Sequence, residues 1–377
     1  MAGIYLHIPY CKQACSYCDF HFSTNLKNKD LLVKSIVREI ELRNKYLKNN
    51  KLDSIYFGGG TPSLLNKAEF ETIFEALGRF FEFDDSAEMT IETNPDDISK
   101  ENLLLWKDLK INRLSVGLQS FNDEELKWMN RAHSAKQSIN SVFLAQDHGF
   151  ENITIDLIYG SKFQDLTTWE KTLEKAVSLK TQHISSYNLT IENKTVLGLK
   201  NLKGQEPAIN DDLSSQQFLM MTDFLKRSDF IHYEISNFGK EGFFAKHNSN
   251  YWLQKEYLGL GPSAHSFNGT SRQWNIKNNN LYIKALEQNL NYFEKEELSI
   301  NDRFNEYVLT RLRTIWGCDA EEIKLLFGES IHSHFLKTVE QKRTDFEINN
   351  GVYTLTPQAR LFADGIASDF FIELESL

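Results

Sequence analysis

The chain has 377 residues, 41% hydrophobic and 25% charged, with 52 acidic against 42 basic residues and a formal net charge of −10. That length and composition describe a globular protein with one large domain and a smaller one, and the acidic balance lacks the electrostatic footprint of a general nucleic-acid binder. No apolar run approaches the roughly 20 residues that span a bilayer, and the start Met1-Ala2-Gly3-Ile4 lacks the basic segment of a secretory signal, so a cytoplasmic protein without a transmembrane segment is expected.

In chain order, strand-like runs fall at Ile4–Ile8, Ser54–Phe57, Glu88–Glu92, Arg113–Gly117, Asn152–Leu157 and His183–Leu189, each short and rich in β-branched or aromatic residues. Helical spacing appears between them, in Leu32, Val33, Ile36, Val37 and Ile40, in Phe70, Ile73, Phe74 and Leu77, and over Ser134–His148, where Gly149 supplies a stop. Six such units in succession predict an α/β fold with a parallel sheet, whose ligands gather at the C-terminal strand ends. The sheet is either an open doubly wound one or a curved, barrel-like one. Asp211–Arg227 reads as a helix, Ile231–Ile235 as a short apolar run, and Asn248–His265 as an aromatic and glycine-rich segment. From Leu281 onward the pattern is mostly helical, with a short strand at Gly351–Leu355 before Thr356-Pro357 and a last helix.

Three of the four cysteines, Cys11, Cys15 and Cys18, lie on one loop after the first strand, and Cys318 stands alone. A disulfide scaffold would spread its cysteines, so clustering points to metal ligation. Cube-shaped [4Fe–4S] clusters normally take four cysteines; three would leave one iron open to a ligand. A structural zinc site with His21 as fourth ligand is the alternative. For Cys318 a buried, unligated thiol is the default.

The CxxxCxxC spacing is similar to the signature of the radical S-adenosylmethionine (SAM) superfamily. From Tyr5 to about Phe371 the chain resembles its branch related to oxygen-independent coproporphyrinogen III oxidase. The resemblance implies an incomplete (β/α)6, TIM-like barrel over residues 1–240. It assigns residues 241–377 to a second region, mostly helical, that carries a histidine–aromatic segment. It implies a [4Fe–4S] cluster on the three cysteines, with SAM on the open iron, cleaved homolytically to a 5′-deoxyadenosyl radical. It carries SAM-binding roles onto Gly59, Gly60 and Thr61 of the Gly58-Gly59-Gly60-Thr61-Pro62 turn, and onto Glu92, Gln119, Arg131 and Asp156. Tyr5 also matches, although strand packing alone would place a tyrosine there.

Two departures separate the chain from the oxidases of that branch. Phe20 stands where they carry a further cysteine, and ten residues precede Cys11 where they carry a long extension. The run His247-Asn248-Ser249-Asn250-Tyr251-Trp252 resembles the HNxxYW hallmark of the HemW, haem-chaperone branch. A histidine is a standard axial ligand for haem iron, and Tyr251 and Trp252 offer flat apolar surface; His265 is a second ligand candidate. The resemblance thus implies haem as a third cofactor, haemoproteins as clients and an electron donor for the cluster as partners, with a homodimer as a further candidate assembly. The alternative function is radical SAM decarboxylation of coproporphyrinogen III in porphyrin biosynthesis.

Overall fold

The computed structural model describes residues 2–373. Six parallel strands form its centre: β1 (Ala2–Ile8), β2 (Leu52–Gly59), β3 (Glu88–Thr93), β4 (Arg113–Gln119), β5 (Asn152–Tyr159) and β6 (His183–Asn188). Each lies beside the next in sequence order, as crossover helices on one sheet require. The strands are buried nearly throughout, which is why they read as continuous apolar runs rather than alternating ones.

The crossover helices begin where the sequence satisfies their first amide groups. Asn66 and Glu69 form a reciprocal cap on helix Lys67–Phe80, and Ser134 and Gln137 do the same for Ala135–Asp147. The apolar positions read at helical spacing turn inward: Leu32, Ile36, Ile40, Phe70, Ile73 and Leu77 are all fully buried in the main core.

The sheet does not stop at the sixth strand. β7 (Ile231–Glu234) and β8 (Asn237–Gly239) add an antiparallel pair to β6. On the opposite edge β9 (Tyr257–Leu260) pairs parallel to β1. β10 (His265–Phe267), β11 (Ser271–Asn275) and β12 (Phe293–Glu297) continue antiparallel from β9. Twelve strands thus form one sheet, an incomplete TIM-like barrel with antiparallel flanks. Strands β9 to β12 of this sheet fall within residues 257–297. The helical pattern expected from Leu281 onward holds for Asn279–Glu287 but not for β12, an exposed edge strand.

From Phe304 onward the chain builds its own core around Phe304, Tyr307, Phe335, Phe346 and Phe370. Helices predominate, with a small sheet of β13 (Cys318–Asp319), β14 (Phe346–Asn349) and β15 (Val352–Leu355). Cys318 is buried in this second core, where burial pushes its thiol up. A buried ion pair holds the barrel's flank shut. Glu39, fully buried on helix Lys29–Arg43, accepts from the Gly261 and Asn275 amides at 2.8 Å each and from the Tyr282 hydroxyl at 2.5 Å, and pairs with Arg43 at 3.3 Å. Among the described residues no helix is long and apolar enough to cross a membrane.

Candidate functional site

The C-terminal ends of the central strands open into a cavity of about 460 Å³. Cys11, Cys15 and Cys18 line it from the loop after β1. Gly59, Gly60 and Thr61 line it after β2, Glu92 at the end of β3, and Gln119 and Asp156 from β4 and β5. Arg131, from the loop before helix Ala135–Asp147, completes the wall. Residues scattered over 146 positions thus meet because parallel strands deliver their ends to one rim.

The glycines are needed for close approach. Gly59 has φ +106°, which L side chains rarely adopt, and a Cβ on Gly60 would stand 2.7 Å from the Tyr10 main chain. The same turn donates the Gly59 amide to one oxygen of Glu92 at 3.0 Å, while the Tyr56 hydroxyl donates to the other at 2.8 Å. Glu92 is fixed on both oxygens, and burial raises its pKa. Asp156 is pushed up to about 7, first by burial and then by Glu92. Two carboxyl groups therefore share one low-dielectric cavity, and each is harder to ionise there than in water.

Arg131 spans the glycine, thiol and strand elements. Its guanidinium donates to Cys15 Sγ at 3.3 Å, to the Gly117 carbonyl at 2.8 Å and to Asn94 Oδ1 at 2.5 Å, while its Nε is buried without a partner among the described residues. Gln119 has φ +65° at the point where the β4–β5 register shifts. That left-handed backbone ends the strand and directs the Gln119 side chain across Gly117, where a Cβ would meet its Nε2 at 2.8 Å.

The three thiols fit a cluster. Burial raises Cys18 to about 11 and raises Cys11 as well, so both thiols are protonated near neutrality and metal loading would release protons. Among the described residues no three His, Cys, Asp or Glu side chains converge on a single ion. Three soft thiolates on one loop are the donors that a four-iron cube takes, each on a different iron. His21 moreover faces away, bonded through Nε2 to Asn279 at 2.7 Å.

A second cavity, of about 560 Å³, lies on the other side of the cysteine loop, and Asp19 and Phe20 line both. Tyr5, Tyr251, Trp252 and His265 wall it, with Arg272 and Lys277 beside them. Tyr5 is thus on this side rather than with the other SAM candidates. His247 reaches neither cavity: it is 1% exposed, with Nδ1 at 2.9 Å from the Ser54 hydroxyl and Nε2 at 2.7 Å from that of Tyr251. Its ring stacks on Tyr56 at 5.0 Å, and burial lowers its pKa to about 3. Sequence reasoning missed Asn94, which braces Arg131, and Tyr187, which lines the first cavity from the end of β6. The strand-end rule would have found both.

Comparison with known proteins gives consistent relatives. Residues 5–176 match the radical SAM superfamily. The chain is 31% identical to the haem chaperone HemW of Bacillus subtilis, covering 99% of this chain and 100% of that one. It is 33% identical to the haem chaperone HemW of Lactococcus lactis, over 93% and 95% of the two chains. Among solved structures it is similar to the Escherichia coli coproporphyrinogen III oxidase HemN, a radical SAM enzyme. The TM-score is 0.84 at 22% identity, covering 98% of this chain and 89% of that one, a likeness of fold.

Proposed function

The chain belongs to the radical SAM superfamily and, within it, to the HemW family; from that premise we propose that it is a haem chaperone, acting in the cytoplasm, which binds a [4Fe–4S] cluster, SAM and haem and delivers haem to haemoproteins. Cys11, Cys15 and Cys18 would hold the cluster. Arg131 has the planar donor fork that suits the SAM carboxylate. The Gly59–Thr61 turn, Glu92, Gln119 and Asp156 would hold its amino group, ribose and base. When loaded, the cluster supplies an electron, from a separate donor, and SAM a radical source. Haem belongs in the second cavity, against Tyr251 and Trp252, and a homodimer is part of the proposal.

One observation carries this reading. Phe20, 75% exposed, stands on the cysteine loop between the two cavities. An apolar side chain fills the place where the oxidase branch has a further cysteine, and behind it lies an aromatic-walled space of a size that suits a cofactor. The test is one anaerobic preparation with its cluster reconstituted, assayed two ways. Haem uptake without loss of CO₂ from coproporphyrinogen III is expected; rapid decarboxylation would sink the chaperone reading in favour of the oxidase.

A further inference from the structure

The haem-chaperone reading leaves open which atom would hold the iron, and the inference below rests on that reading. Four histidines surround or underlie the second cavity, and three are committed elsewhere. His7 engages the Tyr5 hydroxyl through Nδ1 at 3.2 Å and the His21 carbonyl through Nε2 at 3.0 Å. His21 holds Asn279. His247 has both nitrogens bonded in a site closed to solvent, as described above. To reach a ligand it would have to break both bonds and leave the rings of Tyr5 and Tyr56, which lie 6.2 and 5.0 Å from its own.

His265 differs in each respect. It opens β10 with an exposed side chain on the cavity wall. Its ring is held against Trp274, with centroids 6.3 Å apart; it is partly buried beside two cations, and its nitrogens have no hydrogen bond among the described residues. Burial, Arg272 and Lys277 all hold the imidazole below its ordinary pKa, so it is neutral and free to coordinate at physiological pH. The two cations are not equivalent. Arg272 is paired with Glu306 at 2.8 Å, whereas Lys277 has no carboxylate partner among the described residues. A neutral imidazole with uncommitted nitrogens, flat aromatic surface and an unpaired ammonium make up the donor set for an iron porphyrin bearing carboxylate arms.

We infer that His265, rather than His247, is the axial ligand to haem iron in this cavity, and that Lys277 receives a haem propionate. His247 is then a positioning residue. It holds Tyr251 by its hydroxyl and so sets the wall against which the macrocycle lies.

Ferric haem is the probe, titrated anaerobically into the cluster-loaded full chain. Resonance Raman and magnetic circular dichroism report the axial ligand separately from the iron–sulfur absorption. The wild type should show histidine ligation. His265→Ala should lose that signature and bind haem more weakly, by on the order of tenfold or more, with cluster content unchanged. Imidazole added to His265→Gly should restore it. His247→Ala should keep the histidine signature. Lys277→Gln should weaken haem binding but not binding of haem dimethyl ester, whose propionates carry no charge. An unchanged ligation spectrum in His265→Ala overturns the assignment while sparing the chaperone reading. Loss of ligation in a His247→Ala variant with native circular dichroism overturns it equally. A wild type that takes up no haem brings down the chaperone reading and this inference together.

Discussion

Replacing Asp156 by Asn tests the electrostatics of the first cavity in the protein before cluster and SAM are added. Burial and the neighbouring Glu92 hold this carboxyl in its acid form, raising its pKa from 3.8 to about 7. Unfolding returns it to 3.8. Between these values the folded chain keeps a proton that the unfolded chain has released, so stability falls as pH rises through that window. Below it both states are protonated, and above it both are ionised. A separation of roughly three pH units corresponds to about 4 kcal/mol lost across the window. Asparagine keeps the shape of the neutral acid and loses none of this. At roughly 2.1 cal/mol/K per residue, the 377 residues give an unfolding entropy of about 0.8 kcal/mol/K. Asp156→Asn should therefore melt about 5 °C above the wild type at pH 8 and within about 1 °C of it near pH 4.5. Calorimetry at the two pH values checks this. An equal difference at both, of either sign, would refute the claim that the folded protein holds a proton there.

Two further substitutions probe the frame around the site. Gly60→Ala places a methyl group 2.7 Å from the Tyr10 nitrogen and oxygen and 2.8 Å from the Ile8 carbonyl, main-chain atoms with little room to move. It should cost about 1–3 kcal/mol and weaken SAM binding in equilibrium dialysis; unaltered affinity and melting would count against a tight turn. Glu39→Ala strips a buried charge from Arg43 and from three other donors, at a cost of about 3–5 kcal/mol. A melting-point drop of about 4–6 °C is expected, and a change under about 1 °C would show that the pair is replaceable.

The six central strands were legible because each is an apolar run bounded by turn residues, and parallel strands covered on both faces leave just that trace. The first cavity followed from them: once Cys11, Gly59, Glu92, Gln119 and Asp156 are assigned to strand ends, the parallel order brings them together. The flanking strands left no such trace. β11 reads Ser-Arg-Gln-Trp-Asn and β12 Phe-Glu-Lys-Glu-Glu, polar sequences whose extended form comes from pairing with a neighbour, not from their own propensity. The surroundings of His247 were hidden for a related reason. A motif gives spacing along the chain, but the direction of a side chain on the seven-residue helix Lys246–Trp252 depends on how that helix packs. Here it turns His247 into the barrel and Trp252 towards the second cavity. His265 carried the weaker signal in the sequence, yet its register at the exposed start of β10 leaves it the uncommitted imidazole.

The pairing of β1 with β9 also bears on how the protein is made. β1 is central in the finished sheet, and one of its two neighbours is residues 257–260. At roughly 5–20 residues per second, that partner is synthesised on the order of 10–50 seconds later. Throughout that interval one edge of the nascent strand bearing the cysteine loop has no ladder to join, a template for wrong pairing of the kind that slow, non-local topologies expose. The loop bearing Cys11, Cys15 and Cys18 therefore gains its last strand support only once residues 257–260 have been synthesised.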